Sequence, residues 1–88
     1  MFYRTINGYD IYVNTDKNTN YKYKVYKDNK FITSFGDKRY EQYYDKIGYY
    51  KNLNHLDKSR RYKYRQRHQN DNIDDPNYAG YWSWNFLW

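Results

Sequence analysis

Phe2-Tyr3-Arg4-Thr5-Ile6-Asn7-Gly8-Tyr9-Asp10-Ile11-Tyr12-Val13 sets the first layer of the fold. Asn7-Gly8 separates two alternating runs, and both residues tolerate positive φ. A two-residue turn that matches the right-handed twist of paired strands needs that freedom at both positions. The run therefore reads as a β-hairpin in which Phe2, Ile6, Tyr9, Ile11 and Val13 share one face, interrupted by Arg4. After a polar stretch, Tyr21-Lys22-Tyr23-Lys24-Val25-Tyr26 alternates with period 2. Tyr21, Tyr23 and Val25 then face away from Lys22 and Lys24, the pattern of a half-buried strand. Asp28-Asn29 supplies the next turn, residues 31–35 the next strand, and Gly36 its end. Residues 1–36 are expected to form an antiparallel meander of about four strands.

Downstream the pattern becomes helical. Asp37 is placed to cap a helix over about residues 38–47, closed by Gly48, with Tyr40, Tyr43 or Tyr44, and Ile47 at helical spacing toward the sheet. A second helix is expected to start near Asn54 or Asp57 and to run to about His68, with little apolar surface beyond Leu53, Leu56 and Tyr64. Residues 37–68 thus read as two helices. Residues 69–77, with Asp71, Asp74, Asp75 and Pro76, read as an acidic loop. Residues 78–88 read as an aromatic segment that closes the core. Alternation there puts Tyr81, Ser83 and Asn85 on one side and Trp82, Trp84, Phe86 and Trp88 on the other. The expected fold class is α+β, one domain over residues 1–88: a small antiparallel sheet of about four strands, two helices and an aromatic-rich C-terminal segment.

A chain of 88 residues has room for one thin core. Its 15 Tyr, 4 Phe and 3 Trp make up more than half of the apolar set, so the core is expected to be built of rings. Rings bury large areas at low rotamer cost, which allows folding despite a mean hydropathy of -1.48. The absence of Cys excludes disulfides, zinc-thiolate sites and thiol nucleophiles and suits a reducing compartment. Residues 1–10 lack the apolar stretch of a signal peptide, and the 11 residues 78–88 fall short of the roughly 20 of a spanning helix, so an intracellular, non-membrane protein is expected.

A net charge of +6 favours polyanionic partners and argues against a DNA mimic. The charge is uneven: residues 52–68 carry net +5, and residues 69–88 carry net −3. Within the basic block, Arg61, Arg65 and His68 form one helical stripe and Arg60, Tyr64 and Arg67 its neighbour. With Lys58 and Lys63 these give the candidate polyanion-binding set: Lys58, Arg60, Arg61, Lys63, Arg65, Arg67 and His68. Guanidinium forks match phosphate oxygens bidentately, and nearby rings can stack on unpaired bases. The alternative is that the arginines lay their stems on tyrosine rings and pair with Asp57, Asp71, Asp74 or Asp75. Tyr81, Trp82 and Trp84 are candidate partner contacts, weighed against a purely structural role in the core.

His55, Asp57 and His68 could in principle form a metal-binding or phosphodiester-hydrolysing set, but their spacing matches no zinc motif. The competing reading is a hydrogen-bonding histidine beside a helix cap. No serine lies in a nucleophile elbow, and the four glycines are scattered. The expectation is a protein without catalysis, metal or cofactor, with metal-dependent nuclease as the remote alternative.

Phe35-Gly36, His55-x-Asp57-x-x-Arg60-Arg61, Tyr64, Arg67-His68, Ala79-Gly80-Tyr81-Trp82-Ser83 and Leu87-Trp88, in this order and spacing, resemble a family of small proteins of no established activity. Large double-stranded DNA viruses and some tailed phages encode that family. The resemblance covers residues 35–88 and departs from the commoner viral pattern in a longer stretch over residues 37–54 and in the lack of a Trp between His68 and Ala79. It implies a viral origin, in the host cytoplasm or the virion, and no mechanism. The combined expectation is a small basic viral accessory protein that docks on nucleic acid or an acidic virion surface. The alternative is a protein–protein module, either a minor capsid or cement protein or an inhibitor of a host defence complex.

Overall fold

Four strands, β1 (Phe2–Ile6), β2 (Tyr9–Val13), β3 (Tyr21–Lys27) and β4 (Lys30–Asp37), pair antiparallel in the order β1-β2-β3-β4. The structure is a computed structural model and describes residues 1–88. Asn7 and Gly8 turn at φ 51° and 82°, and Asp28 and Asn29 at 51° and 65°. Left-handed backbone at both central residues is the turn geometry that keeps twisted strands paired. Across the sheet Ile11 lies opposite Val25, Val13 opposite Tyr23, and Tyr23 opposite Phe35. One face therefore carries the buried residues.

Two positions in the meander differ from the alternation. The register shifts between Phe2 and Arg4, so Phe2 pairs with Tyr12 and Arg4 with Ile11. The extra residue reverses the parity of the strand beyond it, and Phe2 ends on the outer face, 52% exposed. Lys22, expected at the solvent face, is 2% exposed, whereas Tyr21 is 47% exposed.

No helix forms over residues 38–47. Asp37 belongs to β4, and its carboxylate accepts from the Arg39 N–H at 2.9 Å and from the guanidinium at 2.8 Å. The chain then winds irregularly to one short helical turn, Lys51–Leu53. The physical reason lies in Gln42 and Asp45, which are both fully buried. Asp45 accepts from the Ile47 N–H, the Tyr50 N–H and the Tyr23 hydroxyl, while the Asp45 N–H and Gln42 Nε2 both donate to Asn54 Oδ1. Side-chain acceptors and donors replace the helical ladder.

The two helices are α1 (Lys58–His68) and α2 (Ala79–Phe86). Asp57 caps α1 by accepting from the Ser59 and Arg60 N–H groups, as its residue type suggested. α2 occupies the segment expected to alternate. Trp82 and Phe86, one turn apart, stack at 5.2 Å, and Trp82 also stacks on Phe35 at 5.9 Å. A helix thus buries Trp82 and puts Trp84, two residues on, toward another side.

The core contains Ile11, Val13, Tyr23, Val25, Phe35, Ile47, Trp82 and Leu87. Five of the eight are aliphatic, so the core is not built mainly of rings. Tyr9, Tyr50, Tyr81, Phe86 and Trp88 pack around it half-buried, where hydroxyl and indole edges stay close to water. No helix is long and apolar enough to cross a membrane.

Candidate functional site

α1 carries six Lys and Arg residues and no acidic residue. The structure divides them between two faces. On the inner face Arg61 Nε donates to the Trp88 main-chain oxygen at 2.6 Å, and its guanidinium lies 5.0 Å from the centre of the Tyr43 ring. Arg65 Nε donates to the same oxygen at 3.3 Å and Nη2 to the Trp84 main-chain oxygen at 3.4 Å, with the guanidinium 4.5 Å over the Trp84 ring. Burial, with the Arg61 charge adding to it, lowers the Arg65 pKa. These two arginines clamp α1 to α2 and the residues after it, and are not part of an outward strip.

Lys58, Arg60, Lys63 and Arg67 are exposed. Arg60 pairs with Glu41 at 3.0 Å, at the surface, and the other three have no carboxylate within 4.0 Å. None of the arginines of α1 pairs with Asp57, Asp71, Asp74 or Asp75. Arg61 and Arg65 thus lie against rings as the alternative had it, but donate to main-chain oxygens in place of the four aspartates, while Lys58, Arg60, Lys63 and Arg67 stay at the surface.

His68 leaves the cationic set for a local role: its Nδ1 lies 2.7 Å from Asp71 Oδ2. Its ring begins a four-ring stack, with His68 on Tyr64 at 4.2 Å, Tyr64 on Trp88 at 4.4 Å and 6°, and Trp88 near His55 at 5.2 Å. His55 and His68 are thus separated by two rings, and His55, Asp57 and His68 do not converge. No three His, Asp or Glu side chains are placed to hold one metal ion. His55 Nδ1 accepts from the Asp57 N–H at 2.8 Å, which leaves the proton of the neutral ring on Nε2, buried and without a hydrogen-bond partner. Burial, with Arg60 adding to it, lowers the His55 pKa.

Of the expected partner contacts, Trp82 is 1% exposed and gives its indole N–H to the Pro76 carbonyl at 2.8 Å. It is a core residue and has no surface to offer. Tyr81 and Trp84 are half-buried, and Arg65 covers a face of Trp84.

Beside α1 lies a cleft of about 500 Å³. It is lined by Arg60, Tyr64 and Arg67 of α1, by Leu87 and Trp88 after α2, by Lys22 and Gly36 of the sheet, and by Tyr40. Lys22 is the residue that alternation misplaced. Its Nζ donates to the Tyr40 carbonyl at 2.9 Å and to Gln42 Oε1, and no carboxylate lies within 4.0 Å. Burial lowers its pKa to about 8, against the opposing pull of Asp45 and Asp37. Gly36, at φ 75°, makes the path: a Cβ there would stand 3.0 Å from Lys22 Cβ and Cδ. Pairing of Tyr21 with Asp37 and Tyr23 with Phe35 puts Gly36 opposite Lys22. That glycine is the one sequence signal that could have located the buried lysine.

No family model, curated protein or solved structure matches the chain.

Proposed function

We propose that the protein is a small, basic, non-catalytic accessory protein that docks on a polyanion, nucleic acid in the first instance, through the outer face of α1. One observation carries this reading: Lys58, Lys63 and Arg67 project from a helix with no acidic residue and lack any carboxylate partner. Phosphates supply the missing counter-charge, and binding is favoured by the release of their condensed counterions. The clamp of Arg61 and Arg65 on the Trp84 and Trp88 main chain holds this face on a fixed support. The resemblance to viral proteins over residues 35–88 is consistent with a genome-associated or virion-associated role.

Binding to short DNA and RNA across a salt series tests the reading. With four exposed cations, log affinity should fall against log salt with a slope of about −2 to −4. Lys63→Ala should reduce that slope by roughly one without loss of fold. An affinity insensitive to salt would overturn the proposal.

A second reading, a protein–protein module of capsid, cement or defence-inhibitor type, is favoured by a different surface. Phe2, Tyr12, Tyr26 and Phe31 form an edge-to-face ladder across all four strands, at 5.5, 5.0 and 5.6 Å, on the face away from the helices. Phe2 and Phe31 are 52% and 55% exposed. Partner binding that survives Lys63→Ala and Arg67→Ala but is lost in Phe31→Ala would support this reading over the first.

A further inference from the structure

We propose that the cleft beside α1 seats one unpaired nucleotide of a nucleic-acid strand. The inference rests on the polyanion reading and narrows it, from phosphate binding in general to single-stranded over double-stranded nucleic acid.

The walls of the cleft divide by chemistry in the way a nucleotide does. Arg60 and Arg67 stand seven residues apart on one face of α1, so about 10 Å separates their Cα atoms along the rim. Arg67 has no carboxylate partner, and Arg60 holds only the exposed Glu41. An exposed pair of that kind is weak and is readily exchanged for a phosphate. Tyr40, also in the lining, is 64% exposed; the Arg39 guanidinium lies 5.6 Å from the centre of its ring on one face, so a base would stack on the other. Tyr64 and Trp88 are stacked face to face, so they offer ring edges, and with Leu87 they provide the apolar side against which a sugar can rest. The volume of about 500 Å³ lies within the usual range of small-ligand sites. A base still paired within a duplex could not enter.

Of the acidic residues of the lining, Asp37 is held by Arg39. Glu41 is freed when Arg60 turns to a phosphate, but it is exposed and screened by water, and Lys22, Arg60 and Arg67 against Asp37 and Glu41 leave the lining one charge positive. Lys22 adds a second, independent observation. Its ammonium is nine-tenths buried or more, its two acceptors are neutral oxygens, and no carboxylate is in contact with it. A positive charge is therefore held at the cleft with no carboxylate paired to it, Asp45 and Asp37 acting on it only from beyond 4.0 Å, and a phosphate at the rim would add to their pull.

The test compares a 5′-phosphorylated single-stranded hexanucleotide, a blunt duplex carrying the same number of phosphates, and a free nucleoside monophosphate. The single strand should bind roughly tenfold tighter than the duplex, and Tyr40→Ala should remove that preference while leaving duplex affinity unchanged. Tyr40 contributes only its main-chain carbonyl to Lys22, so the substitution spares the fold. In the NMR spectrum the amides of Gly36, Ser83 and Leu87 should shift on saturation with the strand. Equal affinity for strand and duplex, with those amides unmoved, would overturn the cleft assignment and leave the polyanion reading standing. Failure of both nucleic acids to bind at low salt would remove both. Shifts caused by the free nucleotide but not by the strand would overturn the strand as occupant.

Discussion

The sheet and the irregular segment over residues 38–56 reach the same core, yet they are held by opposite means. In the sheet, order comes from ladder hydrogen bonds and from apolar side chains such as Ile11, Val13 and Val25, each sharing its burial with several neighbours. In the segment, a few buried polar atoms impose the order instead. Asp45 accepts three hydrogen bonds, Gln42 links Lys22 to Asn54, and Ile47 alone enters the apolar core. Apolar burial is non-directional and tolerates small losses. A polar anchor is directional, and removing it leaves several buried groups unpaired at once.

Asp45→Ala should have the most severe consequence. It leaves the Tyr23 hydroxyl proton and the Ile47 and Tyr50 N–H groups without an acceptor, the Tyr23 oxygen keeping only the Tyr49 N–H, and should cost about 3–5 kcal/mol in denaturant unfolding. A cost below about 1 kcal/mol would mean that the polar anchor does not hold the segment. Next comes the pH dependence supplied by Lys22. Its folded-state pKa of about 8 lies below the ordinary 10.5, so the folded chain holds fewer protons than the unfolded chain between these values. Stability from this group therefore rises with pH through that window. Between pH 7 and 9.5 the gain should be about 2 kcal/mol, and Lys22→Met should lack it. The measurement belongs below pH 10, because burial and the Asp45 hydrogen bond raise the Tyr23 pKa, and unfolded tyrosines ionise above that point. The mildest change is assigned to the sheet: Ile11→Val removes one methyl group from a shared core and should cost about 1 kcal/mol. If Ile11→Val costs as much as Asp45→Ala, the two regions are not held differently.

The hairpin and α1 were legible because their signals are local. Asn7-Gly8 and Asp28-Asn29 specify turns from their own backbone preferences, and Asp57 caps the helix that begins at the next residue. The segment after β4 was illegible for the opposite reason. Asp45 acts through Tyr23, 22 residues away, and Lys22 through Gln42, 20 residues away, so neither role leaves a local pattern. In the aromatic segment, Trp82 and Trp84 satisfy period 2 while Trp82 and Phe86 satisfy the helical turn, and composition alone does not choose between them. The candidate site was half legible. Helical spacing separated the two basic stripes correctly, but which one would be consumed depended on Trp88, 27 residues from Arg61 and 23 from Arg65.

The meander, the capped basic helix, the excess of positive charge and the α+β class are written in the amino-acid order, because each follows from neighbouring residues or from totals. The folded chain was needed to put Lys22 inside, to let Asp45 hold an irregular segment in place of a helix, and to bind Arg61 and Arg65 to the chain's own backbone while Arg60 and Arg67 remain at a cleft. Those outcomes turn on hydrogen bonds and ring contacts between residues far apart in the chain, whose free energy exists only once the layers have met.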